Sequence, residues 1–263
     1  MAYCPYPVMR PPPRQPPPHL LEDYTMKGLC PITRYMYFDE SYSAKSGNVT
    51  VYNATKFKKL LALDHMKNIN IYRDNYVMKN VLKKLAHIVK QKHIAVVGTK
   101  IPWAEAMLIN LGARHVTTIE YADLVIEDNR VTTITPYKLA KKFCSGQAAP
   151  FDTVFTYSSL EHSGLGRYGD PLSPFGDLEA TAQVWCMIKP NGHFILAVPR
   201  HKDITRCSLI WNAGRIYGVP RLQHLTANWR VINAFNKFSK RQSHGIYVLQ
   251  KAAISTKVQT FRH

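Results

Sequence analysis

The stretch "HIAVVGTKIPWAEAMLINLGARHVTTIE", His93–Glu120, decides the fold. "HIAVVG" (93–98) is a short apolar run that ends in glycine, as a buried strand does. "PWAEAMLINLG" (102–112) reads as a helix with Pro102 near its first turn and Gly112 at its end. "HVTTIE" (115–120) is a β-branched strand that ends in an acid. The alternation continues outward. "RVTTITP" (130–136) is a strand and "YKLAKKFC" a helix. "FDTVFTY" (151–157) is a strand, about 176–187 a helix and "HFILAVP" (193–199) a strand. Strands alternating with helices predict a parallel, helix-covered sheet in an α/β fold. "WRVINAFNKF" and "HGIYVLQKA", joined by "SKRQS", predict a terminal antiparallel pair.

Upstream the pattern differs. Residues 1–19 contain "PPPRQPPP" and little that can enter a core, which predicts a disordered or polyproline II tail able to dock on a proline-reading partner. Residues 20–92 read as a helical cap. In "NATKFKKLLALDHMK" Asn53 is a ready N-cap. "NYVMKNVLKKLAHIVKQ" sets Val77, Met78, Val81, Leu82, Leu85, Ile88 and Val89 on one face, with lysines opposite. The main domain spans 93–263.

The 263 residues are 46% hydrophobic, enough for a sizeable core. The 35 Lys+Arg against 17 Asp+Glu give a formal charge of +18. That fits association with an acidic partner, nucleic acid included, or simply a solvated basic surface. The charge is spread along the chain with no Arg-rich arm. The five cysteines are widely spaced and form no metal motif, which suits reduced thiols and a cytoplasmic location. Sequons at Asn48 and Asn53 leave a secretory location open, although no signal-peptide core and no membrane-spanning run is present.

In such a sheet ligands sit at the carboxyl ends of the strands, near the switch in strand order. Three features converge there: the Gly98–Thr99–Lys100 loop, Glu120 and the loop after residue 157. Glu120 lies 22 residues past Gly98, the spacing of an acid that bonds ribose hydroxyls. A lone Gly98 falls short of G-x-G-x-x-G, which argues against a nicotinamide dehydrogenase, and no P-loop is present.

The order of these pieces resembles a class I S-adenosylmethionine-dependent methyltransferase. "HIAVVG" stands as the first strand, Glu120 as the ribose acid, "FDTVFTYSSLEH" as the fourth strand, and "MIKPNGHFILAVP" as the turn into the fifth. The resemblance covers about 93–252. It implies a doubly wound, mostly parallel seven-stranded Rossmann-like sheet with an antiparallel C-terminal hairpin. It also implies S-adenosylmethionine held by Gly98, Thr99, Lys100, Glu120, Tyr157 and Ser158. "GTKIPWAEAMLINLGARHVTTIEY", "YSSLEHSGLGRYGDPLSPFGDLEA" and "LIWNAGRIYGVPRL" resemble, more closely still, the domain-of-unknown-function family number 268 of nematodes and bacteria. The chain departs from the usual acid-x-Gly-x-Gly-x-Gly, with Val96, Gly98, Lys100 and Pro102 at those positions. The two larger side chains would crowd the methionine end of the cofactor, and Glu105 or Lys100 would have to restore contacts there.

The loop "SSLEHSGLGRYGDP" (158–171) carries the candidate chemistry. His162 can serve as general base. Asp170 can orient it or act as base itself. Arg167 can grip a phosphate or carboxylate, and Tyr168 can line the acceptor pocket. The alternative is that Glu161 and His162 only brace the loop, with Asp170 capping a turn and Asp177 or Ser173 capping the next helix. A Glu-x-x-Glu-His metal site would need an acid where Ser158 stands, so no metal is expected. The leading expectation is methyl transfer to a small polar acceptor, a sugar or glycan among them. An RNA methyltransferase and an inactive methyltransferase fold kept as a scaffold are the alternatives.

Overall fold

The computed structural model describes residues 11–40, 49–62, 75–235 and 243–252. In chain order the elements before the main sheet are α1 (Leu21–Tyr24), β1 (Ile32–Tyr35), β2 (Thr50–Tyr52), α2 (Ala54–Ala62) and α3 (Asn75–Lys84). Then follow β3 (His93–Val97), α4 (Trp103–Asn110), β4 (His115–Ile119), β5 (Leu124–Ile126), β6 (Val131–Ile134), α5 (Pro136–Cys144) and β7 (Phe151–Tyr157). The last part holds α6 (Gly176–Met187), β8 (Ile188–Pro199), β9 (Ser208–Trp211), β10 (Gly214–Ile216), α7 (Val219–Leu225), β11 (Trp229–Phe235) and β12 (His244–Lys251).

Seven strands form one mixed sheet in the order β11-β12-β8-β7-β3-β4-β6. β3 pairs in parallel with β4 on one side and β7 on the other, and β12 is antiparallel to both β8 and β11. The sheet is therefore not all parallel, as the terminal pair led one to expect. From β3 the chain builds outward through β4 and β6, then returns to build through β7 and β8. That reversal opens a crevice at the carboxyl ends of β3 and β7.

Alternation along the strands divides the core. Ile94 and Val96 join a cluster with Met78, Leu82, Leu108 and Phe155. Ala95 joins a second cluster with Leu139, Val184, Leu196 and Leu225. Helices α2 to α4 thus supply the first face and α5 to α7 the second; α2, α3 and α5 are amphipathic, whereas α4 is buried at every position from Trp103 to Ile109. The amphipathic run 77–89 buries Met78, Val81, Leu82, Leu85, Ile88 and Val89, so its lysine-free face is core. Asn53 caps α2 by accepting from the Lys56 N–H at 2.9 Å, while Asn48 lies outside the described residues.

The N-terminal third differs from the expected helical cap. β1 pairs in parallel with β9, and β2 with β5. The expected disorder of the proline tail fails for residues 11–19, while 1–10 lie outside the described residues. Pro12 and Pro16 are buried, and the Trp211 indole N–H donates to the Pro13 carbonyl at 3.0 Å. A polyproline strand exposes ungated carbonyls, and an indole edge supplies both apolar surface and one donor for them.

Cys30 and Cys207 form a disulfide across 177 residues, which corrects the expectation of reduced thiols for these two. Cys144 and Cys186 are free, and Cys4 lies outside the described residues. The bond ties the segment before β1 to the segment before β9. Closing so long a loop restricts the unfolded chain, by about 2–5 kcal/mol. Cys30→Ser is therefore expected to lower stability by that amount in a denaturant titration without reductant. Wild type and variant should then unfold at the same midpoint once reductant is added. Equal midpoints without reductant would show that the bond contributes nothing.

Candidate active-site cleft

A cleft of about 760 Å³ opens at the carboxyl ends of β3, β4 and β7, where Val97, Ile119 and Tyr157 end their strands. Gly98, Thr99, Lys100, Glu120, Tyr157, Ser158, His162, Arg167, Tyr168 and Asp170 all line it. One end is walled by Pro136, Leu139 and Phe143 of α5 and by Val184 and Met187 of α6. The cleft thus has a polar rim and an apolar wall, the usual make-up of a small-molecule site.

On the rim, Glu120 follows β4 directly. Its carboxylate accepts from the Thr99 N–H at 2.7 Å and the Tyr121 N–H at 2.7 Å. Burial raises its carboxyl above the ordinary range despite those donors. The bond from Thr99 fixes the β3 loop against the end of β4, so the acid positions the loop as well as facing the cleft. Gly98 has φ +74°, and a Cβ there would stand 2.1 Å from the Ser159 hydroxyl oxygen. Glycine is needed at 98 because Ser159 packs against it; the close approach expected of a ligand is made by the chain itself.

Lys100 lines the cleft where the missing glycine would stand. Its side chain is 64% exposed and pairs with Glu40. Glu105, the other group expected to restore contacts, is a fully buried residue of α4 and does not line the cleft. It accepts from the Thr118 hydroxyl at 2.8 Å, and burial pushes its carboxyl up to about 7.

The loop after β7 begins on Ser158, whose φ of +50° is costly for a non-glycine residue. The Ser158 hydroxyl donates to Glu161 at 2.6 Å, and the Ser158 N–H donates to Ala197 O at 2.9 Å. Those two bonds hold the strained turn. His162 bonds through Nδ1 to the carbonyl oxygen of Ala213, in the turn between β9 and β10. A carbonyl only accepts, so Nδ1 carries the proton and Nε2 is the basic atom of the neutral ring. Nε2 lies 3.6 Å from Glu161 Oε1. A Cβ on Gly214 would come within 3.2 Å of His162 Nδ1, so the glycine after Ala213 makes room for the ring.

Asp170 does not orient His162. Its Oδ2 accepts from the Gly164 N–H at 2.7 Å and the Gly166 N–H at 3.3 Å, and its Oδ1 from the Tyr168 N–H at 3.2 Å. A loop wound through three glycines leaves backbone donors without strand partners, and the carboxylate collects them. Asp177 does not cap α6 either, since the N-cap is Phe175 and Asp177 lies in the first turn. It is buried, bonded by Arg221 Nε at 3.1 Å and by the Tyr217 hydroxyl at 2.9 Å, with Arg215 Nε at 3.5 Å. Arg215 in turn donates to the carbonyls of Glu161, Ser163, Ser173 and Pro174, which ties the loop to the residues just past it.

Sequence reasoning missed Glu40. It stands just past β1, and its backbone N–H donates to Arg167 O at 2.7 Å. Its Oε1 accepts from Arg167 Nε at 3.0 Å and Nη2 at 2.5 Å, and its Oε2 from Lys100. The only signal available was an acid in an otherwise acid-poor chain, 127 residues from its partner. Among the described residues no three His, Cys, Asp or Glu side chains gather as a metal site requires.

A mixed seven-stranded α/β sheet carries a ligand-sized cleft at the carboxyl ends of its central strands. The chain belongs to the family described as Caenorhabditis protein of unknown function, DUF268, whose profile matches residues 91–261. Solved structures similar in fold include the Burkholderia thailandensis 1,6-didemethyltoxoflavin-N1-methyltransferase, with S-adenosylhomocysteine bound. It is 13% identical over 78% of this chain and 93% of that one, with a TM-score of 0.48. The N-methyltransferase NodS of Bradyrhizobium japonicum, also with S-adenosylhomocysteine, is 13% identical over 75% and 97%, with a TM-score of 0.46. No curated protein matches the chain.

Proposed function

We propose that the protein is an S-adenosylmethionine-dependent methyltransferase acting on a small polar acceptor, a sugar or glycan being the leading class. The observation that carries the reading is one cleft lined by both Glu120, at the end of β4, and His162, on the loop after β7. The residues fit the cofactor. Glu120 keeps oxygen lone pairs beyond its backbone bonds for ribose hydroxyls, and the apolar wall of α5 and α6 suits a flat base. The main argument for an inactive fold is Lys100 in place of glycine, and that side chain turns to solvent and Glu40.

When bound, such a cofactor supplies a methyl group on a sulfonium, and the protein's task is chiefly proximity and orientation. His162 accepts the acceptor's proton at Nε2, and its Nδ1–H bond to Ala213 fixes that tautomer. Tyr168 and Arg167 hold the polar part of the acceptor.

Binding is tested by melting the full chain with S-adenosylhomocysteine. At about 100 times the dissociation constant the ligand should add ~2.7 kcal/mol, a rise of roughly 5–10 °C. Adenosine triphosphate at the same concentration should give a much smaller rise. No rise at millimolar S-adenosylhomocysteine in a folded protein would overturn the reading.

A further inference from the structure

Lys100 and Arg167 reach the cleft from two different loops, one after β3 and one after β7. Both spend their charge on Glu40, which comes from outside the main sheet. Two cations share the Glu40 carboxylate, and Glu120 on the same rim also acts on Lys100. The match in shape is poor. Arg167 directs both Nε and Nη2 at the single atom Oε1, while Oε2 goes to Lys100. A guanidinium edge is best met by two oxygens in parallel.

The rest of the seat does not depend on that carboxylate. The Arg167 guanidinium lies between the Phe38 ring at 4.3 Å and the Tyr168 ring at 5.1 Å. The backbone of residue 40 is tied to Arg167 O, and Phe38 N–H donates to Asn212 Oδ1 at 2.5 Å. The backbone of residue 40 and the Arg167 guanidinium are thus held by contacts other than the Glu40 carboxylate.

We propose that Lys100 and Arg167 form the seat for the phosphoryl group of a phosphorylated acceptor, and that Glu40 is an internal anion which that group displaces. A dianionic phosphoryl group neutralises both cations where Glu40 neutralises one. Its several oxygens meet the arginine fork and the lysine together. The assignment of the seat to an acceptor rests on the methyltransferase reading, but the seat itself is tested without cofactor.

The test is calorimetric titration of the full chain with inorganic phosphate at constant ionic strength. Glu40→Gln should bind phosphate about tenfold more tightly than wild type, and Arg167→Met should lose it. Arg167→Lys, which keeps the charge but not the fork, should bind at least several-fold more weakly than wild type and guards against misfolding in the methionine variant. Acetate should bind at least tenfold more weakly than phosphate, and S-adenosylhomocysteine should not compete. Weaker or unchanged phosphate binding in Glu40→Gln would make Glu40 a brace and overturn the proposal. So would acetate binding as tightly as phosphate, or absence of phosphate binding in both proteins. Competition by S-adenosylhomocysteine would assign the seat to the cofactor's own carboxylate, which also overturns it. Phosphate binding without any S-adenosylhomocysteine binding would leave the seat standing and sink the methyltransferase reading alone.

Discussion

Asp177→Asn is expected to destabilise the protein by about 3–5 kcal/mol, the usual cost of removing one charge from a buried ion-pair network. The carboxylate is fully buried and faces Arg215 and Arg221, both buried themselves. The substitution keeps the shape and leaves two guanidiniums without a counter-charge. Burial alone would raise the Asp177 carboxyl, but Arg215 and Arg221 outweigh it and hold it below the ordinary range. A lowered pKa means that the network stabilises the fold above the unfolded-state value, about 3.9, and that this stability is lost as pH falls through the folded-state value. Urea titrations should therefore show a large gap between variant and wild type at pH 7, narrowing as pH drops below about 4. A gap under 1 kcal/mol at pH 7 would show that the arginines find other partners. Because Arg215 ties the carbonyls of Glu161 and Ser163 in the loop to those of Ser173 and Pro174 just past it, the variant should also bind any cleft ligand less tightly.

His162→Ala is expected to lower the rate constant of methyl transfer by about 10²–10⁴-fold, the range for loss of a positioned general base. The expectation depends on the tautomer. Nδ1 is committed to Ala213 O, so Nε2 alone is available to take a proton. Affinity for S-adenosylhomocysteine should change by less than about threefold, since the role proposed for His162 is toward the acceptor. A variant with an unchanged rate constant would make His162 a brace for the loop, the alternative that its contact with the β9–β10 turn also allows. A parallel fall in cofactor affinity and rate would point to a collapsed loop.

The parts of this fold legible in the sequence are those with local cause. β3, β4, β6, β7 and α4 to α6 follow from periodicity and from Gly98, Pro102 and Gly112 at their ends. Residues gathered in the cleft were legible for the same reason, since a parallel sheet brings every strand's carboxyl end to one edge. What escaped has remote cause. β5 and β10 are three residues long, and four-residue β9 pairs with the adjacent β10 but also with the distant β1. No window of sequence contains that pairing. The Cys30–Cys207 bond, the Trp211–Pro13 contact and the Glu40–Arg167 pair each join segments more than 120 residues apart. Asp170 shows a subtler limit. Its proximity to His162 in sequence suggested a dyad, but the unpaired N–H groups of the glycine loop are nearer and take the carboxylate first.

The central claim is that the cleft holds the cofactor through Glu120. Calorimetric titration with S-adenosylhomocysteine, beside Glu120→Ala and Glu120→Gln, tests it most directly. Hydrogen bonds to a carboxylate contribute about 1.5–3 kcal/mol each, so micromolar binding to wild type should weaken by roughly 10–150-fold in the alanine variant and by less in the glutamine variant. Equal affinity in all three, or no binding to a folded wild-type protein, would contradict the claim.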